Sequence, residues 1–235
     1  MTSRLRVALA APDSKSRYVR RLFDTIAGRY DLITRLLSYG QDRRWKARVA
    51  ALSSAGPGTR VLDLACGTGD IAFALALRGA HVVALDITHR MLQLAREKQR
   101  GPGFVTGDML ALPFGNEAFH VVTTGYGLRN VPDISRAIAE ARRVLKPGGT
   151  FLSLDFNRPA NRVVRGAYLS YLTVVGSTLG YLLHRDPDTY RYIPESIRRY
   201  PGAVEVNAMI RRAGFSRSEY LPVFGGLMAI HHARR

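Results

Sequence analysis

The sequence predicts an α/β fold: a mostly parallel, doubly wound sheet of seven strands, with an N-terminal helical cap and a helical insertion after strand five. Three observations carry that expectation. Val61-Leu62-Asp63-Leu64-Ala65-Cys66-Gly67-Thr68-Gly69-Asp70 opens as an apolar run, breaks into a glycine turn and passes into the helical pattern Ile71–Leu77. Strand, glycine turn and helix in that order frame a nucleotide crevice. Glycine lets the main chain approach a ligand, and the helix start offers free N–H groups. Strand and helix patterns then alternate as far as Phe156, as parallel β-α-β units do. Finally, no charged residue occurs between Gly166 and Leu183, which sets the segment Asn157–Gly202 apart from the alternating part.

The 235 residues suffice for one such domain, spanning 1–235. Residues 1–14 read as a flexible tail: Arg4 and Arg6 precede an apolar run too short for a signal peptide. Residues 15–55 read as the helical cap. Val19, Leu22, Phe23 and Ile26 recur at helical spacing, then Tyr30, Ile33, Leu36 and Leu37, then Trp45, Val49 and Leu52. Gly28 and Ser38-Tyr39-Gly40 break the pattern, and Ser53–Gly58 links the cap to the first strand.

Strands are expected at Arg60–Ala65, His81–Asp86, Phe104–Gly107, Phe119–Thr124 and Thr150–Phe156. Thr88 is placed to cap a helix over Arg90–Lys98. A second helix, Ile134–Leu145, meets the stop signal Lys146-Pro147-Gly148-Gly149. The insertion, 157–202, is expected to be helical and to cover a greasy acceptor pocket. Its uncharged stretch approaches the length of a membrane span, but Gly176, Gly180, Ser170, Ser177, Thr173 and Thr178 dilute it. A helix at Val204–Ala213 and strands near Phe215–Leu221 and Gly226–His232 complete the fold.

The formal net charge of +17 points to a polyanionic partner. Arg158, Arg162, Arg165 and Arg185 flank the uncharged stretch and suit an anionic membrane surface touched from one side. Cys66 is the one cysteine, so no intramolecular disulfide forms; a reducing, cytoplasmic setting with peripheral membrane contact is expected. In the glycine turn Cys66 reads as a small residue that fits. No Cys-x-x-Cys or His-x-x-x-His pattern suggests a metal.

The glycine turn alone does not name the ligand, since Gly67-x-Gly69-x-x-Ala72 also fits a dinucleotide fingerprint. Asp86, ending strand two, suits ribose hydroxyls in either case. Asp108, in Gly107-Asp108-Met109 after strand three, suits an adenine amino group. Asp63 and Asp70 bracket the turn. Acids there favour a cationic ligand such as S-adenosylmethionine and would repel a pyrophosphate.

On these residues the chain resembles the ubiquinone/menaquinone biosynthesis C-methyltransferase family. The match runs from about residue 17 to the end. It includes Tyr30-Asp31, Ser38-Tyr39-Gly40, Trp45-Lys46, Val61–Asp70, Asp86, Met91-Leu92, Gly107-Asp108, Leu112-Pro113-Phe114 and Gly127-Leu128-Arg129-Asn130-Val131. It continues through Arg143–Gly149, Tyr190–Ile197 and His231.

The resemblance implies a Rossmann-like class I S-adenosylmethionine-dependent methyltransferase fold, with that cofactor. It also implies a prenylated quinol substrate methylated on a ring carbon: demethylmenaquinol or a ubiquinone-pathway benzoquinol. Cofactor contacts are expected at Gly67, Thr68, Asp86, Ile87, Asp108, Met109 and Gly125. Arg129, just past strand four, is the expected catalytic residue, holding a phenolate or an attacking water. Tyr30, Asn130, Tyr190 and His231 are the expected acceptor contacts.

Three positions depart from the family pattern. Met109 replaces an alanine, Gly125 a serine, and Asp155-Phe156-Asn157 a Glu-Phe-Ser, which shortens a carboxylate facing the pocket. Competing readings are a methyltransferase for another lipophilic small molecule and an RNA methyltransferase. Against the second, Thr124-Gly125-Tyr126-Gly127-Leu128 lacks an Asn/Asp-Pro-Pro-Tyr motif for a target base, so a nucleic-acid partner is not expected. A homodimer is left open, as is the choice between a one-ring and a two-ring acceptor.

Overall fold

The computed structural model describes residues 5, 7, 9, 11–98, 101–159 and 161–235; Arg4 and Arg6 of the expected tail lie outside the described residues. The strands are β1 (Arg60–Leu64), β2 (His81–Asp86), β3 (Gly103–Thr106), β4 (Phe119–Gly125), β5 (Leu145–Phe156), β6 (Arg217–Val223) and β7 (Met228–Arg234). They form one sheet in the order β3-β2-β1-β4-β5-β7-β6, with β7 antiparallel to both neighbours. The strand order reverses between β1 and β4, and that reversal opens a crevice beyond the strand ends.

The central strands are apolar on both faces because both faces are covered. On one face α6 (Ile134–Val144) contributes Ala137, Ile138 and Ala141, and α9 (Ala203–Arg212) contributes Val206 and Ile210. On the other face α3 (Asp42–Leu52) contributes Trp45 and Val49, and α4 (Asp70–Ala76) contributes Ile71 and Leu75. Helix α5 (His89–Lys98) follows β2.

Three details differ from the sequence reading. Strand β5 starts at Leu145, five residues early. Lys146–Gly149 is a bulge in the strand, between the pairs Phe119–Leu145 and Val121–Thr150, and not only a helix stop. Strands β6 and β7 sit two residues further along than expected. The turn Phe224–Gly226, with both glycines at positive φ, takes Gly226, which the reading gave to the last strand. The helix α1 (Pro12–Ile26) begins inside the expected tail, because Pro12 suits a first helical turn. Leu5 and Leu9 are buried against the same cluster as α1.

The cap is α1, α2 (Tyr30–Leu37) and α3, and the insertion is a pair of helices, α7 (Arg162–His184) and α8 (Asp188–Arg199). Gly180 explains why glycine interrupts the uncharged stretch. A Cβ there would lie 2.6 Å from the Asp186 carbonyl, so only glycine lets the chain turn back against α7. Cap and insertion share a core away from the sheet: Leu22, Ile26 and Ile33 pack with Tyr190 and Tyr192. No helix of the described residues is long and apolar enough to cross a membrane.

Candidate active site

The turn after β1 is shaped by backbone more than by side chains. Gly69 has φ of 88°, and a Cβ on it would lie 2.8 Å from the Phe73 ring. Gly67 donates its N–H to Asp86 Oδ2 at 2.8 Å, and Thr88 donates its N–H to Asp86 Oδ1 at 2.8 Å. One carboxylate therefore holds two loops. Each of its oxygens keeps acceptor capacity for a further donor. Burial raises the Asp86 carboxyl above its ordinary value, while the N–H groups of Thr88 and Gly67 pull it back.

Above Asp86 lies a cavity open on one side to solvent. Ala65, Gly67, Asp86, Ile87, Asp108, Met109 and Gly125 line its floor, and Ser16, Val19 and Phe23 of α1 roof it. Six of the seven expected cofactor residues are thus in one place. The departures are accommodated. Met109 is packed into the core, and Gly125 leaves room for Ile71, whose Cδ1 would lie 2.7 Å from a Cβ there.

The seventh, Thr68, lines an adjoining cavity of about 300 Å³ with Asp63, Cys66, Lys46 and Tyr30. Its hydroxyl donates to Asp31 Oδ1 at 2.6 Å, so it ties the turn to α2 and its side chain is already engaged. Asp63 is the unpaired group here. Its Oδ1 accepts from Thr123 Oγ1 at 2.7 Å, the Ala72 N–H also favours its charged form, and its buried Oδ2 makes no hydrogen bond among the described residues. Burial pushes its carboxyl up to about 7. An orphaned carboxylate oxygen beside a glycine turn fits a ligand carrying an ammonium group.

Asp70 does not fill the role expected of it. It pairs with Lys46 at 2.7 Å and Lys98 at 3.4 Å, which also hold Asp42 and Asp31. Its acidity is thus neutralised inside a network joining cap to turn. Burial alone would depress Lys46, but the Tyr30 phenol, Asp70 and Asp42 outweigh it and raise its pKa.

A second cavity lies under the cap and the insertion. Its walls are apolar and aromatic: Leu22, Ile33, Trp45, Phe156, Tyr168, Tyr190, Tyr192 and Phe224. Phe23, Tyr30 and Tyr126 border both large cavities, so the two meet across three rings. Tyr126 was not foreseen. Its flanking glycines were the available signal, and its φ of 61° swings the chain between the cavities.

Arg129 is the one charged side chain lining the second cavity. It is 6% exposed and set in a short helical turn, Leu128–Asn130. An unpaired buried guanidinium would cost several kcal/mol, so its surroundings matter. Asp155 Oδ1 lies 3.2 Å from Nε, and Asp155 Oδ2 accepts the Arg129 backbone N–H at 3.1 Å. The shortened acid at 155 is therefore the anchor of this turn. Nη1 donates to Asn130 Oδ1 at 2.8 Å and to Ser196 Oγ at 3.4 Å, and the Phe156 ring faces the guanidinium at 4.8 Å. Nη2 makes no hydrogen bond among the described residues.

The expected acceptor contacts divide. Tyr30 borders all three cavities. Tyr190 lends its ring to the second cavity while its hydroxyl pairs with His184 Nε2 at 2.9 Å. Asn130 is already engaged: Oδ1 accepts from Arg129 and from the Tyr192 hydroxyl, and Nδ2 donates to the Tyr126 carbonyl. It orients Arg129. His231 is a correction. It is buried on β7 opposite Ser153, donates from Nε2 to the Ala203 carbonyl at 3.0 Å, and lines neither cavity. Burial lowers its pKa, so it is a neutral core histidine. Among the described residues no cluster of metal-ligating side chains occurs.

Comparison with known proteins agrees with this geometry. The profile of the "ubiE/COQ5 methyltransferase family" matches residues 11–235. The "Ubiquinone/menaquinone biosynthesis C-methyltransferase UbiE" of Acidiphilium cryptum is 40% identical over 228 residues, covering 94% of this chain and 92% of that protein. The "Demethylmenaquinone methyltransferase" of Mycobacterium sp. (strain KMS) is 39% identical over 224 residues, covering 95% and 96%. Among solved structures, a SAM-dependent methyltransferase from Thermotoga maritima superposes with a TM-score of 0.65 at 18% identity, covering 92% of this chain and 99% of that one.

Proposed function

This chain belongs to the ubiE/COQ5 methyltransferase family, and on that premise we propose that it methylates a ring carbon of a prenylated quinol, with S-adenosylmethionine as methyl donor. The acceptor is a demethylmenaquinol or a related benzoquinol. One observation carries the reading: a cavity floored by Asp86 and Asp108 meets, across Phe23, Tyr30 and Tyr126, an aromatic cavity lined by the buried Arg129, and the adjoining smaller cavity holds Asp63.

The cofactor supplies an electrophilic methyl on a cationic sulfur. Asp86 and Asp108 in the first cavity would accept from the ribose hydroxyls and the adenine amino group, and Asp63 in the adjoining one would accept from the ammonium group. In the aromatic cavity the rings hold the acceptor flat against the shared wall, which is positioning catalysis. Loss of the quinol hydroxyl proton to water concentrates electron density on the neighbouring ring carbon. That carbon would take the methyl as the methyl–sulfur bond breaks and its electron pair stays on sulfur, leaving a neutral thioether, and the ring proton would then pass to water to restore aromaticity. Arg129 is always charged, and its unpaired Nη2 suits the developing oxyanion.

The test is methyl transfer to a demethylated quinol by purified protein at saturating cofactor. Arg129→Ala is expected to lose about 100-fold or more in turnover, with cofactor affinity within about threefold of wild type. Arg129→Lys keeps charge without the planar fork and falls between. Wild-type turnover by Arg129→Ala would make Arg129 a structural residue.

A prenylated acceptor lives in a bilayer, and the second cavity has a greasy surround. Leu32, Leu36, Tyr39 and Phe224 are exposed, while Leu37 and Ser38 between them line the cavity. Tyr39 stacks on Tyr171 of α7 at 5.9 Å. Arg35, Arg43 and Arg44 are exposed on the same helices, in a chain of net charge +17. This face suits peripheral docking on an anionic bilayer, with the prenyl tail passing from lipid to cavity.

A further inference from the structure

Helix α1 lines the cofactor cavity with Ser16, Val19 and Phe23, on the side opposite Asp86 and Asp108 of the strand ends. One side chain of α1 crosses to the sheet side of the site. Lys15 Nζ donates to the Arg129 carbonyl at 3.1 Å and to the Val131 carbonyl at 2.5 Å, more than a hundred residues along the chain. The Arg129 carbonyl lacks its ordinary turn partner, because the residue three further on is Pro132, which has no N–H. The side-chain nitrogen of Lys15 takes that place with N–H groups that it carries charged or neutral.

We propose that Lys15 is a positioning residue: its side-chain nitrogen fastens the roof of the cofactor cavity to the main chain of the Arg129 turn, so that closing the cavity and setting Arg129 are one event. With α1 lifted, the turn keeps the Asp155 anchor at its N–H but loses both carbonyl contacts. With α1 down, the guanidinium and the roof are braced through the same three residues. The closure half of the proposal depends only on α1; the second half rests on Arg129 serving the acceptor.

The groups around Lys15 give closure a pH signature. Burial lowers its pKa to about 8, Arg129 and Arg199 push it the same way, and Asp155 opposes them. In an open cap the amine regains its ordinary value of 10.5. The closed form therefore binds the proton less well. Closure is weakest where Lys15 is charged in both forms, below about pH 8, and strengthens as pH rises above it. A neutral amine still donates to both carbonyls.

The experiment is tryptic cleavage of the full-length protein without ligands, scored after Arg17, Arg20 and Arg21 of α1 and normalised at each pH to an unfolded peptide. In the wild type, cleavage is expected to fall by up to about tenfold between pH 8 and pH 9. Lys15→Met and Lys15→Arg should both lose this fall. At pH 9, Lys15→Met should be cleaved about tenfold faster than wild type and should release labelled S-adenosylmethionine correspondingly faster. If Lys15→Met does not fold, the wild-type slope against a flat Lys15→Arg profile decides the matter. Equal cleavage of wild type and variants, with no wild-type slope, overturns the proposal. Altered cleavage with unaltered turnover keeps the latch and removes only its link to Arg129.

Discussion

The two large cavities of this protein are built in opposite ways. The side proposed for the cofactor is made where strands end: the turns after β1, β2 and β3 each bring a short contiguous motif to one sheet edge, and the N–H groups of Gly67 and Thr88 fix the Asp86 carboxylate there. The acceptor side is made of side chains from the cap, the turn after β4, the insertion and the β6–β7 turn, which touch only after the chain has folded. A backbone-built site tolerates changes of side chain, such as Met109 and Gly125, because glycine turns and strand ends stay where they are. A side-chain-built site concentrates its polarity on one residue, and here Arg129 needs Asp155, Asn130 and Ser196 to stay in place.

The largest effect that would break this contrast falls on the cofactor side. If the backbone does most of the holding, Asp86 is the exception, since its carboxylate joins both loops and is the expected ribose partner. Asp86→Ala should weaken S-adenosylmethionine binding by roughly tenfold to a thousandfold, the worth of one or two hydrogen bonds to a charged acceptor. Calorimetry on a variant of unchanged circular dichroism measures it. Unchanged affinity would mean that the main chain alone carries the cofactor.

A middle-sized effect comes from Asp63. Its carboxyl is raised from 3.8 to about 7, so the ligand-free protein loses stability on this group as pH rises through that interval. An ammonium group placed at Oδ2 requires the ionised form. Cofactor affinity should therefore fall as pH drops below about 7, by up to about tenfold per unit, with a proton released on binding. Calorimetry in buffers of different ionisation enthalpy reads that proton directly. Asp63→Asn should bind more weakly at pH 8 and show no such slope; a slope surviving in Asp63→Asn would assign it to another group.

The same contrast explains what could be read in the sequence. The glycine turn, Asp86 and Asp108 were legible because each stands at the end of an apolar run, and strand ends in a doubly wound sheet converge by topology. Asp70 had the right charge and place, but charge alone does not reveal that Lys46 and Lys98 are waiting 24 and 28 residues away. The acceptor side was legible only where a motif marked it, as at Gly127-Leu128-Arg129-Asn130. Tyr190 fell on the cavity wall and His231 in the core, because a strand residue and a helix residue carry no sequence mark of the face they turn. The bounds of the last strand missed for a local reason: Gly226, with positive φ, belongs to the turn, and counting it into the strand started the strand two residues early.

The smallest effect sharpens the acceptor half. If the exposed rim of Leu32, Leu36, Tyr39 and Phe224 meets lipid, its role is to deliver a tail and not to hold a ring. Leu36→Ser with Tyr39→Ser should then leave turnover on a short-chain, water-soluble quinol unchanged. The apparent KM for a long-chain quinol in anionic vesicles should rise a few-fold, since each exposed side chain contributes only ~1–2 kcal/mol of burial. Wild-type flotation with anionic vesicles should exceed that with neutral ones and weaken as salt rises, because the exposed arginines act through a screened field. The rim residues act through apolar contact, so flotation of the double variant should be weaker at every salt concentration with the same dependence on salt. An equal KM shift on the short-chain quinol would place Leu36 and Tyr39 inside the ring-binding wall. Equal flotation with both lipids at low salt would detach the +17 charge from membrane docking altogether.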